Sequence, residues 1–583
     1  MVSRGGRFII TYNGEIYNFA EIRSDIEKLG VEFSGSSDTE VLLNAVVSWG
    51  VETTLRRLNG MFAFAIWDEA EQVMHLARDR FGEKPLYYGW HDGVFIFGSE
   101  LKALSAHPAF RREIDPSALA LFMRFNYVPW PYSIYRGTHK LAPGHYLRVT
   151  LDGQQSSAKP FWQLRELIDG RQPVTTDPRD PALTDMVDVG LRRAVKRRMV
   201  SDVPLGAFLS GGIDSSTVVA LMQAQSSRPV KTFTIGFWEA PYNEATDAAR
   251  VARHLGTEHH ELYLSSVECT EVISRLPSIY DEPFADSSQI PTTLVSEFTR
   301  RHVTVALSGD AGDELFGGYN RYFWTRRIWP KLKRIPLPLR ARLADVIQTL
   351  SPERWDRVFG IANPFLPGKF RVRGGGEKLH KLALAMDAKN GDDLYRGFVS
   401  QWHRPEEVLI EGTEPPFLIE NLANAPSSLD YIERMMYLDT LTYLPSDILC
   451  KVDRASMSTG LEARVPFLDI DLVRLAWNLP ITTKIHHGVG KWPLRQVLGR
   501  YVPPEFFDRP KMGFGIPIGD WLRGPLRSWA DEMLNEKALK RSGYFRAEVV
   551  GKQWREHLSG RRNLQHSLWS VLMFQAWNAS HNR

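Results

Sequence analysis

Cysteine is nearly absent: the 583 residues hold only Cys269 and Cys450, which excludes a disulfide framework and a cysteine-rich zinc site. Such a chain suits a reducing compartment, and the cytoplasm is the expected location. No uninterrupted apolar run approaches the ~20 residues needed to cross a bilayer. The opening MVSRGGRFII is too short in apolar residues for a secretory signal. Neither sign of charge dominates. With 72 Lys and Arg against 68 Asp and Glu, the formal net charge is +4, too small at this length to drive whole-protein binding to nucleic acid. The pairs His259-His260 and His486-His487 have no zinc-ligand spacing around them, so no zinc is expected.

What is present is the composition of a soluble globular protein, 43% hydrophobic and 24% charged, long enough for at least two domains. Residues 1 to about 150 read as short β-like runs, RFIITYNG, MFAFAIWD, VMHLARD, VFIFGSE and GHYLRVT, separated by turns. One amphipathic helix, FAEIRSDIEKLG, is expected to stop at Gly30. The polar, Pro- and Asp-rich stretch between Leu151 and Asp185 reads as a connection, dividing the chain into domains 1–160 and 181–583. From Pro181 strand-like and helix-like segments alternate, the order of a parallel sheet with helices on both faces. After Tyr319 the pattern is mostly helical.

The stretch AFLSGGIDSSTVVALM, Ala207 to Met222, runs from an apolar strand through glycines into a helix. Such a turn aims backbone N–H groups and the positive helix end at an anion, and phosphate is the favoured one. The turn lacks both the Gly-x-x-x-x-Gly-Lys-Ser/Thr and the Gly-x-Gly-x-x-Gly spacing, so it is a third kind of phosphate loop. Gly211 and Gly212 allow close approach, Ser210, Ser215 and Ser216 add hydroxyls, and Asp214 can carry magnesium. Read alone, the stretch also fits a serine-rich helix cap. A second stretch, VTVALSGDAGDELFGGYNRY, repeats the strand-to-Ser-Gly transition at Ser308-Gly309 and follows it with Asp310, Asp313 and Glu314. Adjacent strand ends would place both turns beside one crevice. A third, KVDRASMSTGLEARVPFLDIDLV, precedes GVGKWPLRQVLG, whose Lys491 could reach a phosphate; Arg454 and Arg464 have the ordinary fate of a solvated or salt-bridged arginine open to them.

Together these stretches resemble the glutamine-dependent asparagine synthetase family over essentially the whole chain. SGGIDSS, the Ser-Gly-acidic loop at Ser308 and EARVPFLD resemble its synthetase half, while YNGEIYNF, SSDTEVLL, LNGMFAFAIWD, RDRFGEKPLYY and GSELKAL resemble its glutaminase half. The resemblance implies an α/β and α+β protein: an N-terminal-nucleophile hydrolase-like αββα domain, incomplete at its start, then an ATP-pyrophosphatase α/β domain with a helical C-terminal part. It implies that Leu209, Ser210, Gly211, Gly212, Asp214, Ser215, Ser216 and Ile235 hold ATP, with Ser308 and Gly309 on its other side. Asp214 and Asp313 are the implied Mg2+ ligands. Asp310 stands where the family usually has glutamate at the adenylation and amine step, and Lys491 matches its phosphate-stabilising lysine. Asn13 and Gly14 resemble the oxyanion pair of the glutaminase, and Glu15 and Asp38 the groups that hold glutamine. The implied reaction makes asparagine from aspartate, ATP and ammonia through an acyl-adenylate, the ammonia coming from glutamine through an internal tunnel. Partners are then small molecules, without nucleic acid or a membrane span, with a homodimer as the assembly to test.

Several features depart from the family. Asp310 is one methylene short, and Ala311 would be strained by about 1 kcal/mol if its φ were positive. The family's glutaminase uses an N-terminal cysteine, whereas position 2 is Val. Either a longer parent chain opens Met-Cys, which the retained Asn13, Gly14, Glu15 and Asp38 favour, or a shortened enzyme uses free ammonia. Under both, this chain should release no glutamate from glutamine. Two other readings stay open: a related amide ligase acting on a peptide, sugar-acid or antibiotic-precursor carboxylate, and a non-catalytic nucleotide or glutamine sensor. Finally, RRIWPKLKRIPLPLRARL, Arg326 to Leu343, interleaves basic and apolar residues as a contact with an anionic membrane would. Its three prolines argue instead for a solvated, partly disordered insertion.

Overall fold

The computed structural model describes residues 1–583 apart from 152, 154–155, 175–176, 239–243, 351, 363–374, 421–424, 510–514 and 582–583. The first half contains strands β1 (Phe8–Ile16), β2 (Gly60–Asp68), β3 (Val73–Arg78), β4 (Tyr87–His91), β5 (Val94–Gly98), β6 (Thr138–Lys140), β7 (His145–Thr150) and β8 (Lys159–Pro160). They form two antiparallel sheets, ordered β1-β2-β3-β7-β8 and β5-β4-β6. Alternation along MFAFAIWD explains the layering. Phe62, Phe64 and Ile66 pack with Ile22, Ile26, Leu42 and Val46 of the helices Phe19–Glu27 and Asp38–Trp49. Ala63 and Ala65, of opposite parity, pack between the sheets with Leu76, Leu86, Tyr88 and Leu147. Tyr87 faces the far side, joining Leu101 and the helix Pro116–Phe125. The order is helix, sheet, sheet, helix, the expected αββα sandwich. The first helix ends at Glu27, and Gly30, at φ +85°, turns the chain just beyond it.

The second half is built on β9 (Leu205–Phe208), β10 (Lys231–Phe237), β11 (Glu258–Leu264), β12 (Val305–Leu307) and β13 (Glu462–Arg464). All neighbours pair in parallel, in the order β11-β10-β9-β12-β13. Two helix groups enclose the sheet: Pro181–Arg198, Ile213–Gln225 and Trp492–Leu498 pack together, as do Gln289–Arg300 and Leu449–Met457. Among the described residues no helix is long and apolar enough to cross a membrane.

The hydrophobic core does not respect the division near residue 160. Phe122 and Tyr135 of the first half pack, with tilted rings, against Phe574 and Trp577 of the helix Gln565–His581. The polar connection is also less open than its composition suggests, because Phe161, Leu164 and Ile168 are buried. Another correction concerns Arg326–Leu343. Instead of a disordered insertion, the chain forms the helices Asn320–Leu332, with Pro330 inside it, and Leu337–Thr349. Leu332 and Ala344 share a small core with Ala383, Met386 and Leu394.

One core residue is chemically out of place. Lys484 is fully buried, and its Nζ has no hydrogen-bond partner among the described residues and lies 4.7 Å from the Trp477 ring centre. Burial lowers its pKa from 10.5 to about 7. Between those values the unfolded chain carries a proton that the folded chain does not, so stability rises with pH across that window. Lys484→Met should remove this slope and stabilise the protein at pH 6 by on the order of 3 kcal/mol. Denaturation midpoints from pH 6 to 10 test this, and an unchanged pH profile in the variant would refute it.

Candidate functional site

The C-terminal edge of the parallel sheet carries a cleft of about 1230 Å³. At the end of β9, Leu209 donates its N–H to Phe233 O at 2.9 Å, continuing the sheet one residue beyond the strand. Ser210-Gly211-Gly212 then turns into the helix Ile213–Gln225. Gly211 has φ +70°, and a Cβ there would lie 2.8 Å from Ala248 N, so only glycine lets the turn pack on the helix Ala245–Leu255. The Oγ atoms of Ser210 and Ser215 are 3.0 Å apart, bracing the turn. The first helical turn carries no side-chain cap, which leaves its N–H groups as donors toward the cleft.

β12 lies beside β9, and its end delivers the second loop. Ser308 N donates to Arg464 O at 2.8 Å. A Cβ on Gly309 would lie 2.7 Å from Ser215 N, and one on Gly312 would overlap the Asp214 carboxylate; the two loops therefore touch through glycine. Ala311 adopts φ +69° as the cap of the helix Gly312–Phe316. The condition for strain stated from the sequence is met.

Lys491, itself at φ +55° at the head of Trp492–Leu498, inserts its ammonium between the loops. Its Nζ contacts Asp214 Oδ2 and lies 2.6 Å from Asp313 Oδ1. Side chains at Gly318 would overlap both Asp313 and Lys491. Burial alone would lower the Lys491 pKa, but Asp214 and Asp313 raise it above its usual value. Leu209, Ser210, Gly211, Gly212, Asp214, Ser215, Ile235, Ser308, Gly309, Asp310, Asp313 and Lys491 all line the cleft. Ser216 does not. It is fully buried in the helix, and its Oγ has no hydrogen-bond partner among the described residues.

Asp310 accepts a hydrogen bond from Ser308 Oγ, and burial raises its pKa against the opposing effects of Ser308 and Lys451. Nearby is a group that sequence reasoning missed. Lys451 Nζ lies 2.6 Å from Asp286 Oδ2 and 2.8 Å from Ser288 Oγ, and all three line the cleft. The signal available was FADSSQ, an acidic-serine triplet within an apolar stretch. Asp447, buried nearby, is pushed well above the carboxylate range by burial and by Asp286.

The residues matched to a glutamine site gather in the first half. Asn13 Nδ2 donates to Ser99 Oγ at 3.1 Å. Asp38 Oδ2 accepts from Tyr12 OH at 2.8 Å and from Ile16 N at 3.0 Å. A Cβ on Gly14 would lie 2.7 Å from Phe62 Cα, so β1 and β2 approach too closely for a side chain. Glu15 lies 3.4 Å from Arg464 Nη2, and burial, opposed by that arginine, raises its pKa to about 7. Arg454 is no more solvated than Arg464: it donates to Ser99 O at 2.7 Å and pairs with Asp281 at 2.8 Å. Both cysteines lie in the second half, Cys269 buried and Cys450 with its thiol pushed by burial to about 11.

A parallel sheet with glycine-rich turns at two adjacent strand ends, joined to an αββα sandwich, is thus the class of protein that the architecture defines. The family model described as asparagine synthase matches residues 186–579, and that described as a glutamine amidotransferase domain matches residues 1–162. The chain belongs to the asparagine synthase family. It is 33% identical to Asparagine synthetase [glutamine-hydrolyzing] 1 of Bacillus subtilis (strain 168), over 98% of this chain and 85% of that protein. A putative asparagine synthetase [glutamine-hydrolyzing] of Mycobacterium tuberculosis (strain ATCC 25618 / H37Rv) is also 33% identical, over 98% of this chain and 84% of its own length. Amidase chyE of Penicillium rubens (strain ATCC 28089 / DSM 1075 / NRRL 1951 / Wisconsin 54-1255) is 25% identical over 91% and 80%.

Since Ala311 holds a left-handed conformation that glycine adopts without strain, Ala311→Gly should stabilise the protein by about 1 kcal/mol. Chemical denaturation measures this, and an unchanged or lower midpoint would show that no strain is stored there.

Proposed function

We propose that the chain is an ATP-dependent amide synthetase that converts aspartate to asparagine through an acyl-adenylate. The observation that carries this reading is the meeting of Asp214, Asp313 and Lys491 where two strand-end loops touch. The amides of the Ser210–Ser215 turn and its helix end cradle the phosphates. Leu209 and Ile235 flank the adenine, and Ser308 and Gly309 bound the nucleotide's other side. Two converging carboxylates are hard oxygen donors of the kind magnesium takes alongside phosphate oxygens, so Asp214 and Asp313 would hold Mg2+. That ion, when bound, supplies charge neutralisation for the phosphates.

An oxygen of the substrate carboxylate attacks the α-phosphorus, the bond to the bridging oxygen breaks, and pyrophosphate leaves with its charge met by Lys491. The resulting anhydride is open to ammonia. Nitrogen attacks the acyl carbon, AMP departs, and the nitrogen gives up a proton. Asp310 is assigned to that proton, because a carboxyl with a raised pKa is the better acceptor near neutrality. Asn13, Gly14, Glu15 and Asp38 form the glutamine pocket of the first domain. Neither cysteine lies in that domain, so the chain as given uses supplied ammonium.

ATP–pyrophosphate exchange and AMP release with aspartate and ammonium test the reading. Lys491→Ala should lose two to three orders of magnitude in turnover, since one preorganised charge is worth about 3–4 kcal/mol, and Asp214→Asn should abolish exchange while leaving the fold intact. A loss below about threefold in Lys491→Ala would remove that residue from the site. Asp310 in place of the family's usual glutamate keeps a second reading open, a related amide ligase acting on a peptide, sugar-acid or antibiotic-precursor carboxylate larger than aspartate. Exchange with such an acid and none with aspartate would establish it, whereas no exchange with either would leave the non-catalytic sensor.

Glutamine separates the two half-reactions. Incubated with glutamine alone, the 583-residue chain should release no glutamate above a no-enzyme control, and it should make amide only when ammonium is added. Steady glutamate release would overturn the ammonium assignment.

A further inference from the structure

The helix pair Asn320–Leu332 and Leu337–Thr349 has a surface that the reaction in the cleft does not use. Along the second helix Leu339, Leu343 and Val346 are 52%, 42% and 59% exposed. Their spacing of four and three residues sets them on one helical face. The opposite side is occupied: Ala344 is buried in the small core, and the buried Arg340 lies 5.6 Å from the Trp329 ring centre. The aliphatic stripe therefore points away from the protein.

The charge around the stripe is mostly positive, the exposed Asp345 being the one acidic residue of the second helix. From Arg321 to Ala344 the sequence holds eight Lys and Arg and no Asp or Glu. Arg321 is spent on the buried Asp439 and Arg340 on Trp329. Lys331, Lys333, Arg334 and Arg342 are exposed and make no ion pair among the described residues. Four unpaired cations within twelve residues make the patch locally basic on a chain whose net charge is small.

We propose that this helix pair docks the protein on an anionic lipid surface, the aliphatic stripe entering the headgroup layer and the four cations meeting lipid phosphates. Charge complementarity selects the anion, and the stripe selects lipid over nucleic acid. A surface built for single strands offers aromatic rings for base stacking, whereas the exposed apolar groups here are Leu and Val flanked by Lys and Arg, the composition of an interfacial helix. The proposal goes beyond amide synthesis and does not rest on it.

The full-length protein, mixed with vesicles of phosphatidylglycerol and phosphatidylcholine, should sediment with them at low salt, release at 0.5 M salt, a Debye length of only a few ångströms, and ignore vesicles of phosphatidylcholine alone. Lys333→Glu with Arg334→Glu should weaken partition by about tenfold or more, given roughly fivefold per cation at an anionic surface. Leu339→Ser with Leu343→Ser should also weaken it while leaving ATP–pyrophosphate exchange unchanged, which shows that the variant is folded. No vesicle binding, equal binding to neutral vesicles, or preferential binding to DNA would overturn the proposal. So would undiminished partition of the serine variant, or a dimer in ultracentrifugation that the serine substitutions dissolve.

Discussion

The ammonium of Lys491, held between Asp214 and Asp313, is the interaction on which the rest of the cleft depends. Two carboxylates turned toward one buried point repel each other and lose their hydration, a combination that survives only with a cation between them. The cation must come from a third part of the chain, because each strand-end loop supplies an anion. Gly309, Gly312 and Gly318 make the meeting possible by removing the side chains that would hold the three segments apart. Ala311 and Lys491 both take left-handed backbone conformations to reach it. Strain of that kind persists only where surrounding contacts over-determine it, and here the surrounding contacts are the ion pairs themselves.

A second constraint joins the halves. Asp469 accepts from Asn59 at 2.9 Å and pairs with Arg197 and Arg198 at 3.2 and 3.3 Å. Lys84 pairs with Asp453 at 2.9 Å, both largely buried. Arg464 belongs to both halves at once: its carbonyl receives the Ser308 N–H at the start of the second strand-end loop, and its guanidinium faces Glu15 on β1. A segment of three residues, β13, thereby connects the two candidate sites. A buried arginine set between partners from different domains resists replacement by lysine, which cannot reproduce its planar fork of donors.

Local rules made much of this legible in the sequence. Period-two alternation in MFAFAIWD marks a strand with two buried faces, and the break from an apolar run into Ser-Gly-Gly marks a strand end with a helix behind it. Those signals lie within a few residues, and the structure agrees with them. A list of hydroxyls carries no helical phase, so the sequence does not distinguish Ser215, which lines the cleft, from Ser216, which is fully buried. The helical pattern after Tyr319 agrees with the structure, but within it Arg326–Leu343 defeats a reading that weighs prolines as breakers: Pro336 and Pro338 sit at a helix start and Pro330 in the last turn of Asn320–Leu332, where a missing N–H costs little or packing compensates for it. Arg454 and Arg464 were left open because burial is a tertiary fact, invisible until Ser99, Asp281 and Glu15 are brought to them.

The Lys451 cluster was illegible for the same reason, yet it gives the cleft its second electrostatic character. One ammonium faces Asp286, Asp310 and Asp447, and it cannot stabilise three buried anions equally. Asp286, in direct contact at 2.6 Å, is held below the carboxylate range despite burial. Burial raises Asp310 from its ordinary value and pushes Asp447 well above that range. Proximity to a single charge therefore separates one permanent anion from two carboxyls that hold protons more readily. At the other pole Asp214 and Asp313 remain paired with Lys491. The cleft thus sets carboxylates paired with a cation under the glycine turns against carboxyls of raised proton affinity beside Lys451, and groups of different acid–base character in one cavity are what a reaction combining charge neutralisation with proton removal requires.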